Sequence, residues 1–325
     1  MRKRALGWDL KAYLLEKIKK AGGWVNAHSH LDRAYTFTPE NFHLGKIDFQ
    51  KKWALNTEII KNSTWQDIYD RMCKGVEKML EQGVYAIGTF IDVDPNAKDK
   101  GIKAAQKVRE KYKGDIIIKF INQTLHGVID KKAYEWFKVA AEFVDIIGGL
   151  PSKDKGQEEK HLDILFSEAK KRGKMVHVHI DQKNDPEEKE TELFIKKVEE
   201  YGLQGKAVII HMISLTCHPK NYREKIYQKL KKNNIMVIAN PTAYIDSPRY
   251  EKLVPFHNAI TPVDELVPHG ITVALGTDNI NDLHKPFTDG DMWMELRMLL
   301  EACRFFELDE LVKIATVNGR KVLGI

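Results

Sequence analysis

The chain has 325 residues, of which 43% are hydrophobic and 9% aromatic, so it can bury a large core. It carries 52 Lys+Arg against 46 Asp+Glu, a net charge of +6, but the lysines are scattered in runs such as KKAYEW and QKLKKNN on predicted helix faces. This distribution is typical of a solvated surface and argues against a nucleic-acid partner.

Secretion and membrane insertion are also disfavoured. Charged residues interrupt the basic start MRKRALGWDLKAYLLEKIKK before it reaches signal-peptide length, and no stretch approaches about 18 uninterrupted apolar residues. Cys73, Cys217 and Cys303 are far apart and form no C-x-x-C pair, which favours a reducing compartment over a disulfide scaffold. We therefore expect a soluble, cytoplasmic protein with no membrane partner.

The first predicted element is an amphipathic helix over about residues 9–20, because apolar residues recur there at helical spacing. Short apolar runs bounded by turn residues follow it. In chain order they are GWVNAHSH, VYAIGTFID, DIIIKFINQ, FVDIIGGLP, MVHVHID, AVIIHMIS, IMVIANPT and ITVALGTDN. Charged stretches with helical periodicity, such as TWQDIYDRMCKGVEKMLEQG, lie between most of these runs, and many end at a glycine.

Alternating strands and helices indicate an α/β fold with a parallel sheet. Eight such units in about 300 residues favour a closed (β/α)8 TIM barrel over an open doubly wound sheet, partly because no glycine-rich phosphate fingerprint follows the first run. With no convincing domain boundary, we predict a single domain over residues 1–325, in which the helix at 9–20 precedes the barrel. The best candidate loops are residues 31–62 and 241–269.

The carboxyl ends of the runs are unusually polar, and in a barrel of this kind they lie at one level, where catalytic side chains collect. They carry His28, His30, Gln123, His179, Gln182, His211, Asp278 and Asn279. Three imidazoles and a carboxylate suit one divalent transition metal ion, zinc or iron, with a position open for water. Such a water becomes a nucleophile near neutral pH, and another histidine beside it could accept its proton.

These motifs resemble those of the amidohydrolase superfamily, specifically its cytosine-deaminase-like branch. The resemblance covers nearly the whole chain, from HSHLDR through KFINQ, HVHIDQ, VIIH, VIANPT and GTDNINDLHKPF to IATVNGRKVLGI. It implies that the metal ligands are His28, His30, His179 and Asp278. It also implies that His211 faces the bound water, so that His211 and Asp278 are catalytic, and that Gln123 contacts the substrate.

Two positions depart from this branch. Its deaminases have a glutamate three residues after the strand-five histidine and an aspartate directly after the strand-eight ligand, where this chain has Gln182 and Asn279. An amide cannot shuttle a proton at neutral pH, which places cytosine deamination itself in doubt. The two amides resemble those of the neighbouring N-isopropylammelide isopropylaminohydrolase group, which displaces an amine from a triazine ring and carries a basic residue where Arg33 stands. Arg33 could pair with an anionic or carbonyl-rich ring, or could be a surface residue that neutralises Asp32.

The resemblance also bears on metal count and assembly. Other members bridge two metals with a carboxylated lysine on strand four, but FVDIIGGLP ends without a lysine, so we expect a mononuclear site. Most members of the branch carry a small β-sandwich built from segments that flank the barrel. Only some 20 residues precede strand one here and the sequence ends at Ile325, so we expect a barrel without its sandwich. Surfaces left bare in this way favour a homo-oligomer.

Several other polar residues have simpler interpretations. His177 shares a strand face with His179 but lies one layer deeper, which favours core packing. The strand-end loops hold His126, His218 and His284, which could reach the substrate but which we interpret as ordinary loop residues. Asp92 and Asp94 could support the metal ligands.

Three functional hypotheses follow. The favoured one is a metal-dependent hydrolase that removes an amino or alkylamino group from a small nitrogen heterocycle, pyrimidine- or triazine-like, bound by Gln123, Gln182, Asn279 and Arg33. The second is hydrolysis of a cyclic amide at the same site. The third is a barrel that binds metal or a heterocycle without turnover. Gln182 and Asn279 favour the third, whereas His211 counts against it, because a binding protein needs no proton acceptor beside a metal.

Overall fold

The computed structural model describes residues 9–41, 49–183, 185–245, 260–303 and 305–325. Each of the eight apolar runs contains a strand. The strands are β1 (Trp24–Ser29), β2 (Val84–Asp92), β3 (Ile117–Gln123), β4 (Ile147–Gly149), β5 (Val176–Ile180), β6 (Ala207–His211), β7 (Met236–Ala239) and β8 (Val273–Leu275). The predicted start of the first helix is confirmed to within a residue, because the side chain of Asp9 caps a helix over Leu10–Lys20.

The α-helices of the described residues lie mostly between the strands. They are α1 (Leu10–Lys20), α2 (Phe49–Asn62), α3 (Trp65–Glu81), α4 (Lys100–Lys111), α5 (Lys131–Phe143), α6 (Glu158–Arg172), α7 (Glu190–Tyr201), α8 (Lys220–Lys232), α9 (Val263–Leu266), α10 (Met292–Ala302), α11 (Leu308–Ala315) and α12 (Val317–Leu323). Short 3-10 helices follow three strands, at Leu31–Arg33, Pro151–Lys153 and Ser214–Cys217. None of the described helices is long and apolar enough to cross a membrane.

The strands pair in parallel and in chain order. β1, β2 and β3 form one ladder and β4 to β8 form another. Two isolated parallel bridges join the ladders, one between Ile121 and Ile146 and one between Ser29 and Asp278. The order of neighbours therefore returns from β8 to β1, as expected for the predicted (β/α)8 barrel.

The apolar residues form an inner and an outer cluster. The inner cluster is Val25, Ala27, Ala86, Phe90, Ile121, Ile146, Val208, Ile210, Met236, Ile238, Ala274, Val322 and Leu323. Its last two members belong to α12, whereas most of the others lie on strands. The outer cluster lies between the strands and the surrounding helices. It contains the alternate strand residues, such as Ile209 and Val237, which face away from the barrel interior. Most of each strand is thus buried on both faces, which is why the runs read as continuous apolar segments.

The two candidate loops are only partly loops. Helix α2 occupies the second half of residues 31–62, so that prediction is wrong there. Its sequence FQKKWALNTEIIKN contains neither glycine nor proline, and the helix buries Ile60. In the segment 241–269 the structure shows a turn over residues 241–245 and the short helix α9. Residues 42–48 and 246–259 of these segments lie outside the described part of the chain.

Candidate active site

Four histidines and one aspartate converge at the carboxyl ends of the strands. His28 and His30 lie at the end of β1, His179 in β5, His211 at the end of β6, and Asp278 just beyond β8. The ring centroid of His28 is 4.9 Å from that of His30, 5.0 Å from that of His179 and 5.7 Å from that of His211. All five residues are at least 96% buried, because none exceeds 4% exposure. The structure therefore brings the five predicted metal and catalytic residues into one cluster.

The donor atoms of this cluster are spaced closely enough to share an ion. Nitrogen atoms of His28, His179 and His211 lie within 4.8 Å of one another, and so do donor atoms of His28, His30 and Asp278. Asp278 Oδ1 is 3.4 Å from His28 Nε2 and 3.2 Å from His30 Nε2, and Asp278 Oδ2 is 3.8 Å from His211 Nε2. His28 belongs to both sets, so they describe a single centre.

Burial sets the charge of these groups. It lowers the pKa of His30 and of His179 well below the usual range, helped at His30 by Arg33 and at His179 by the neighbouring histidines. It lowers the pKa of His211 to about 3. Burial acts to raise the pKa of Asp278, but the adjacent imidazoles of His28 and His30 outweigh it and hold that pKa well below the usual range. His30, His179 and His211 are therefore neutral and Asp278 is ionised. Imidazole nitrogens and one carboxylate are the donor set of a borderline divalent ion.

Most of the imidazoles have one nitrogen occupied by the protein and the other facing the cluster. His179 Nδ1 lies 3.2 Å from the carbonyl oxygen of Gly149, and His211 Nδ1 lies 3.2 Å from the amide of Asn240. His28 differs, because neither of its ring nitrogens has a hydrogen-bond partner although the residue is fully buried. A buried imidazole without partners is costly unless a ligand satisfies it, so the residues present fit a metal ion.

Arg33 is buried beside the cluster and is not a surface residue. It is 4% exposed, and its Nη2 lies 2.6 Å from His30 Nδ1. Because a guanidinium only donates, His30 carries its proton on Nε2, facing Asp278. Burial acts to lower the pKa of Arg33, but Asp92, Asp32 and further carboxylates outweigh it and raise that pKa. His30 can offer Nε2 to an ion only when its proton moves to Nδ1, which requires the guanidinium to turn away.

Behind Arg33 lies a group of ionisable residues, namely Asp32 after β1, Asp92 at the end of β2 and Lys153 after β4. Asp32 Oδ2 accepts the backbone N–H of Asp92, whose own carboxylate oxygens are buried without hydrogen bonds. Burial raises the pKa of Asp92 well above the usual range, and the nearby Asp32 adds to this effect. β4 ends without a lysine, but Lys153 follows in the next 3-10 helix, where burial and then Arg33 lower its pKa to about 8. Asp94 instead caps the following turn through the N–H groups of Asn96 and Ala97.

The predicted substrate residues are placed around the strand ends in different ways. Gln123 is the last residue of β3, and its Oε1 accepts the N–H of Thr124, so its NH2 group is left to donate. Asn279 is buried and donates its NH2 group to Asp282 Oδ2, so its Oδ1 is left to accept. Gln182 is half-buried and accepts a hydrogen bond from Tyr244.

Four other histidines that the sequence singles out have surroundings of their own. His177 is fully buried one layer deeper and bonds to the carbonyl oxygen of Val322 in α12, which confirms core packing. His126 contacts Asn96, and His218 contacts the carbonyl oxygen of Glu188. Burial lowers the pKa of His284 to about 4.

In the described part of the chain, the aromatic residues Phe90 and Tyr244 border the cluster. Phe90, fully buried in β2, packs its ring against His28, His30 and His179 at centroid distances of 5.1, 5.4 and 4.7 Å. Tyr244 packs edge-on against His211 at 5.1 Å. The aromatic rings exclude water from the histidines and hold their planes.

Sequence reasoning missed Asn240, Tyr244 and Glu295. The first two follow β7 in the motif IANPTAY, where an Asn-Pro pair at a strand end was a signal that could have been used. Glu295 lies in α10 and is 4% exposed. Its Oε1 accepts the hydroxyl of Thr242 at 2.5 Å and its Oε2 accepts the N–H of Thr242 at 3.1 Å. Glu295 thus ties the turn after β7 to helix α10.

Comparison with known proteins supports the resemblance noted in the sequence. The model of the amidohydrolase family matches residues 22–325. An uncharacterized protein of Haemophilus influenzae (strain ATCC 51907 / DSM 11121 / KW20 / Rd) is 51% identical over 264 residues, which is 80% of this chain and 96% of that protein. N-isopropylammelide isopropyl amidohydrolase of Pseudomonas sp. (strain ADP) is 24% identical over 314 residues, which is 93% of this chain and 74% of that enzyme.

Solved structures agree with the fold. A crystal structure of 5-methylcytosine deaminase from Klebsiella pneumoniae, liganded with 5-fluorocytosine, superposes with a TM-score of 0.85 at 22% identity, over 93% of this chain and 74% of that chain. A structure of N-isopropylammelide isopropylaminohydrolase from Burkholderia multivorans ATCC 17616 gives a TM-score of 0.77 at 19% identity, over 94% and 77%. At these identities the likeness shows the fold, which is the predicted barrel.

Proposed function

The chain belongs to the amidohydrolase family and acts on carbon–nitrogen bonds, and we propose that it removes an amino or alkylamino group from a small pyrimidine- or triazine-like heterocycle. The observation that carries this proposal is the convergence of His28, His30, His179 and Asp278 with a further neutral histidine, His211. The relatives support the substrate class, since they include an N-isopropylammelide isopropyl amidohydrolase and a 5-methylcytosine deaminase.

One divalent transition metal ion, zinc or iron, would be held by His28, His30, His179 and Asp278. When bound, it would lower the pKa of a coordinated water and so make that water a nucleophile near neutral pH. The donor set supports one ion, because His28 is shared by both groups of closely spaced donors.

His211 is the proposed proton acceptor. Its Nδ1 faces Asn240, which leaves Nε2 directed at Asp278, 3.8 Å away. Burial keeps the ring neutral. With the NH2 group of Asn240 donating to Nδ1, the ring proton lies on Nε2, so the Asn240 amide would have to turn over and accept Nδ1–H with its oxygen. Nε2 would then have a lone pair to take a proton from the attacking water and return it to the departing amine. Asn240 would fix the ring orientation and the position of its proton.

The substrate ring would be oriented by complementary amides. Gln123 has its NH2 group to donate to a ring oxygen or nitrogen, and Asn279 has its carbonyl oxygen to accept a ring N–H. Arg33, already charged and buried beside His30, would meet a carbonyl-rich or anionic edge of the ring. Hydrolysis of a cyclic amide at the same site is the second candidate, because Gln182 stands where a proton-shuttling carboxylate would be needed for deamination.

A substrate screen tests the proposal. Protein loaded separately with zinc and iron is incubated with aminopyrimidines, alkylaminotriazines and cyclic amides, and the release of ammonia or amine is compared with ring opening. We expect amine release. Ring opening alone would favour the cyclic amide reaction, and a metal-loaded protein that turns over nothing would leave only the non-catalytic binding barrel.

Variants separate the roles of the histidines. His211→Asn should keep the metal but lower turnover by roughly 10² to 10⁴, the usual contribution of a general base. Asp278→Asn should lose both metal and activity, because it removes the single carboxylate of the proposed ligand set. His218→Asn is the matched control, since His218 contacts the backbone of Glu188 in a neighbouring strand-end loop and should leave turnover unchanged. Loss of metal from His211→Asn would show that His211 is a ligand.

We also propose a homo-oligomer located in the cytoplasm. Exposed large apolar side chains support self-association, among them Phe287 at 83% exposure and Phe306 at 65%. Cys73, Cys217 and Cys303 form no disulfide with one another, a cysteine usage that suits a reducing compartment. A single monomeric species in light scattering at micromolar concentration would contradict the oligomer.

A further inference from the structure

Tyr244 links the proposed proton acceptor to the amide that stands in place of the deaminase glutamate. Its ring lies 5.1 Å from that of His211, at an interplanar angle of 82°. Its hydroxyl donates to Gln182 Oε1 at 2.9 Å. Gln182 and Tyr244 are 62 positions apart in the sequence and both are half-buried, so the contact forms at the rim of the centre.

The turn that carries Tyr244 is firmly held. The N–H of Ala243 donates to the carbonyl oxygen of Asn240 at 3.0 Å, which closes the turn after β7. Both the N–H and the hydroxyl of Thr242 bond to the buried carboxylate of Glu295. A tyrosine on such an anchored turn can hold a partner side chain in one orientation.

The contact fixes which hydrogen bonds Gln182 has left to make. With its carbonyl oxygen engaged by the phenol, the amide presents its two N–H groups, which have no hydrogen-bond partner among the described residues. Without Tyr244 the same amide could turn over and present its oxygen instead. A glutamate at this position would exchange a proton with the substrate ring. A glutamine whose oxygen is engaged by the Tyr244 hydroxyl can only donate a hydrogen bond to that ring.

We propose that Tyr244 is a specificity-determining residue that locks Gln182 as a hydrogen-bond donor. The enzyme then selects a heterocycle with an unprotonated ring nitrogen or a carbonyl oxygen next to the reacting carbon. This inference rests on the proposed function and defines its substrate class more closely. Tyr244 acts through Gln182 and is therefore a positioning residue.

Two ligands that differ in a single ring atom test the proposal. Cytosine has an acceptor nitrogen beside its amino-bearing carbon, and 3-deazacytosine has a C–H group there. Wild-type, metal-loaded protein should bind cytosine about 10-fold more tightly in calorimetric titration, the usual contribution of one such hydrogen bond. Tyr244→Phe keeps the ring on His211 but frees Gln182, so the preference should fall to about 2-fold or less.

The control is Tyr201→Phe, which also removes a phenol hydrogen bond, from Tyr201 to Asp163 Oδ1 at 3.1 Å between α7 and α6. It should keep the wild-type preference. If Tyr244→Phe weakens both ligands equally, or changes neither, Tyr244 is merely structural and the inference is overturned. Wild-type protein that binds neither ring would contradict the proposed substrate class itself, so the two failures are distinguishable.

Discussion

Replacement of Glu295 by glutamine should remove part of the pH dependence of stability. Burial raises the pKa of Glu295 to about 8, and Asp278 adds to this effect against the hydrogen bonds from Thr242. In the unfolded chain the group titrates near its ordinary value of 4.5. Between these two values the folded protein holds a proton that the unfolded chain has released, so the free energy of unfolding falls as the pH rises.

The magnitude follows from the difference in pKa. A shift from 4.5 to about 8 corresponds to roughly 5 kcal/mol once the pH exceeds the folded value, at about 1.4 kcal/mol per unit. Between about pH 5.5 and about pH 7.5 the wild type should lose about 2.5 kcal/mol relative to Glu295→Gln. The glutamine mimics the protonated carboxyl. Its oxygen can accept the N–H of Thr242, and its NH2 group can donate to the hydroxyl as the carboxyl O–H does below about pH 8.

The assay is denaturant unfolding of both proteins across this pH range, with the difference in free energy plotted against pH. Glu190, whose pKa burial raises to about 8, contributes equally to both proteins and cancels. Glu142→Gln is the control: Glu142 is 73% exposed and Arg172 holds its pKa below the usual value, so it titrates below the window. Parallel curves for wild type and Glu295→Gln would refute the reasoning.

Three further outcomes are expected. Phe90→Leu should lower the free energy of unfolding by about 1 to 2 kcal/mol, because it removes aromatic contacts with three histidines, and an unchanged thermal midpoint would count against those contacts. Elemental analysis should find about one transition-metal ion per chain and none in the double variant His28→Ala, His30→Ala, whereas two ions per chain would exclude a mononuclear site. Gln182→Glu should gain release of ammonia from cytosine, and no gain would mean that the amide is not what turns the enzyme from deamination.

The strands and the histidine cluster could be predicted because their signals are local. Each strand is a short apolar run bounded by turn residues, and each predicted ligand lies at the end of such a run. Once the runs were interpreted as a barrel, the level shared by His28, His179 and His211 followed from topology alone. The same reasoning separated His177, one layer deeper, from the centre.

The partners of these residues could not be predicted, because they depend on contacts between distant parts of the chain. From the sequence, Arg33 could be either a substrate-binding residue or a surface residue. The structure shows it buried against His30. The contact of Gln182 with Tyr244 and that of Thr242 with Glu295 join residues 62 and 53 positions apart. No periodicity or spacing in the sequence specifies such pairs.

Local backbone geometry turns the metal-donor side chains toward the barrel interior. For His28 and His211, the simple alternation of strand residues would predict the opposite face. In β6, Val208 and Ile210 face the inner cluster, so alternation would direct His211 outward, but the φ of His211 is 78°. In β1, Val25 and Ala27 face inward. His28 joins them because the three steps from Asn26 to Ser29 are matched by only two on β2, so β1 contains an extra residue that re-aims the strand.

Asp278 has a φ of 58° and, like His211, lies in the left-handed region of backbone conformation. Such a conformation costs about 1 to 3 kcal/mol for a residue other than glycine and persists only where surrounding contacts over-determine it. The carbonyl oxygen of His28 supplies them by accepting the N–H groups of both Thr277 and Asp278, at the seam where β8 meets β1. The bond that closes the barrel therefore also aims the carboxylate at the histidines, so closure of the fold and assembly of the centre depend on the same few atoms.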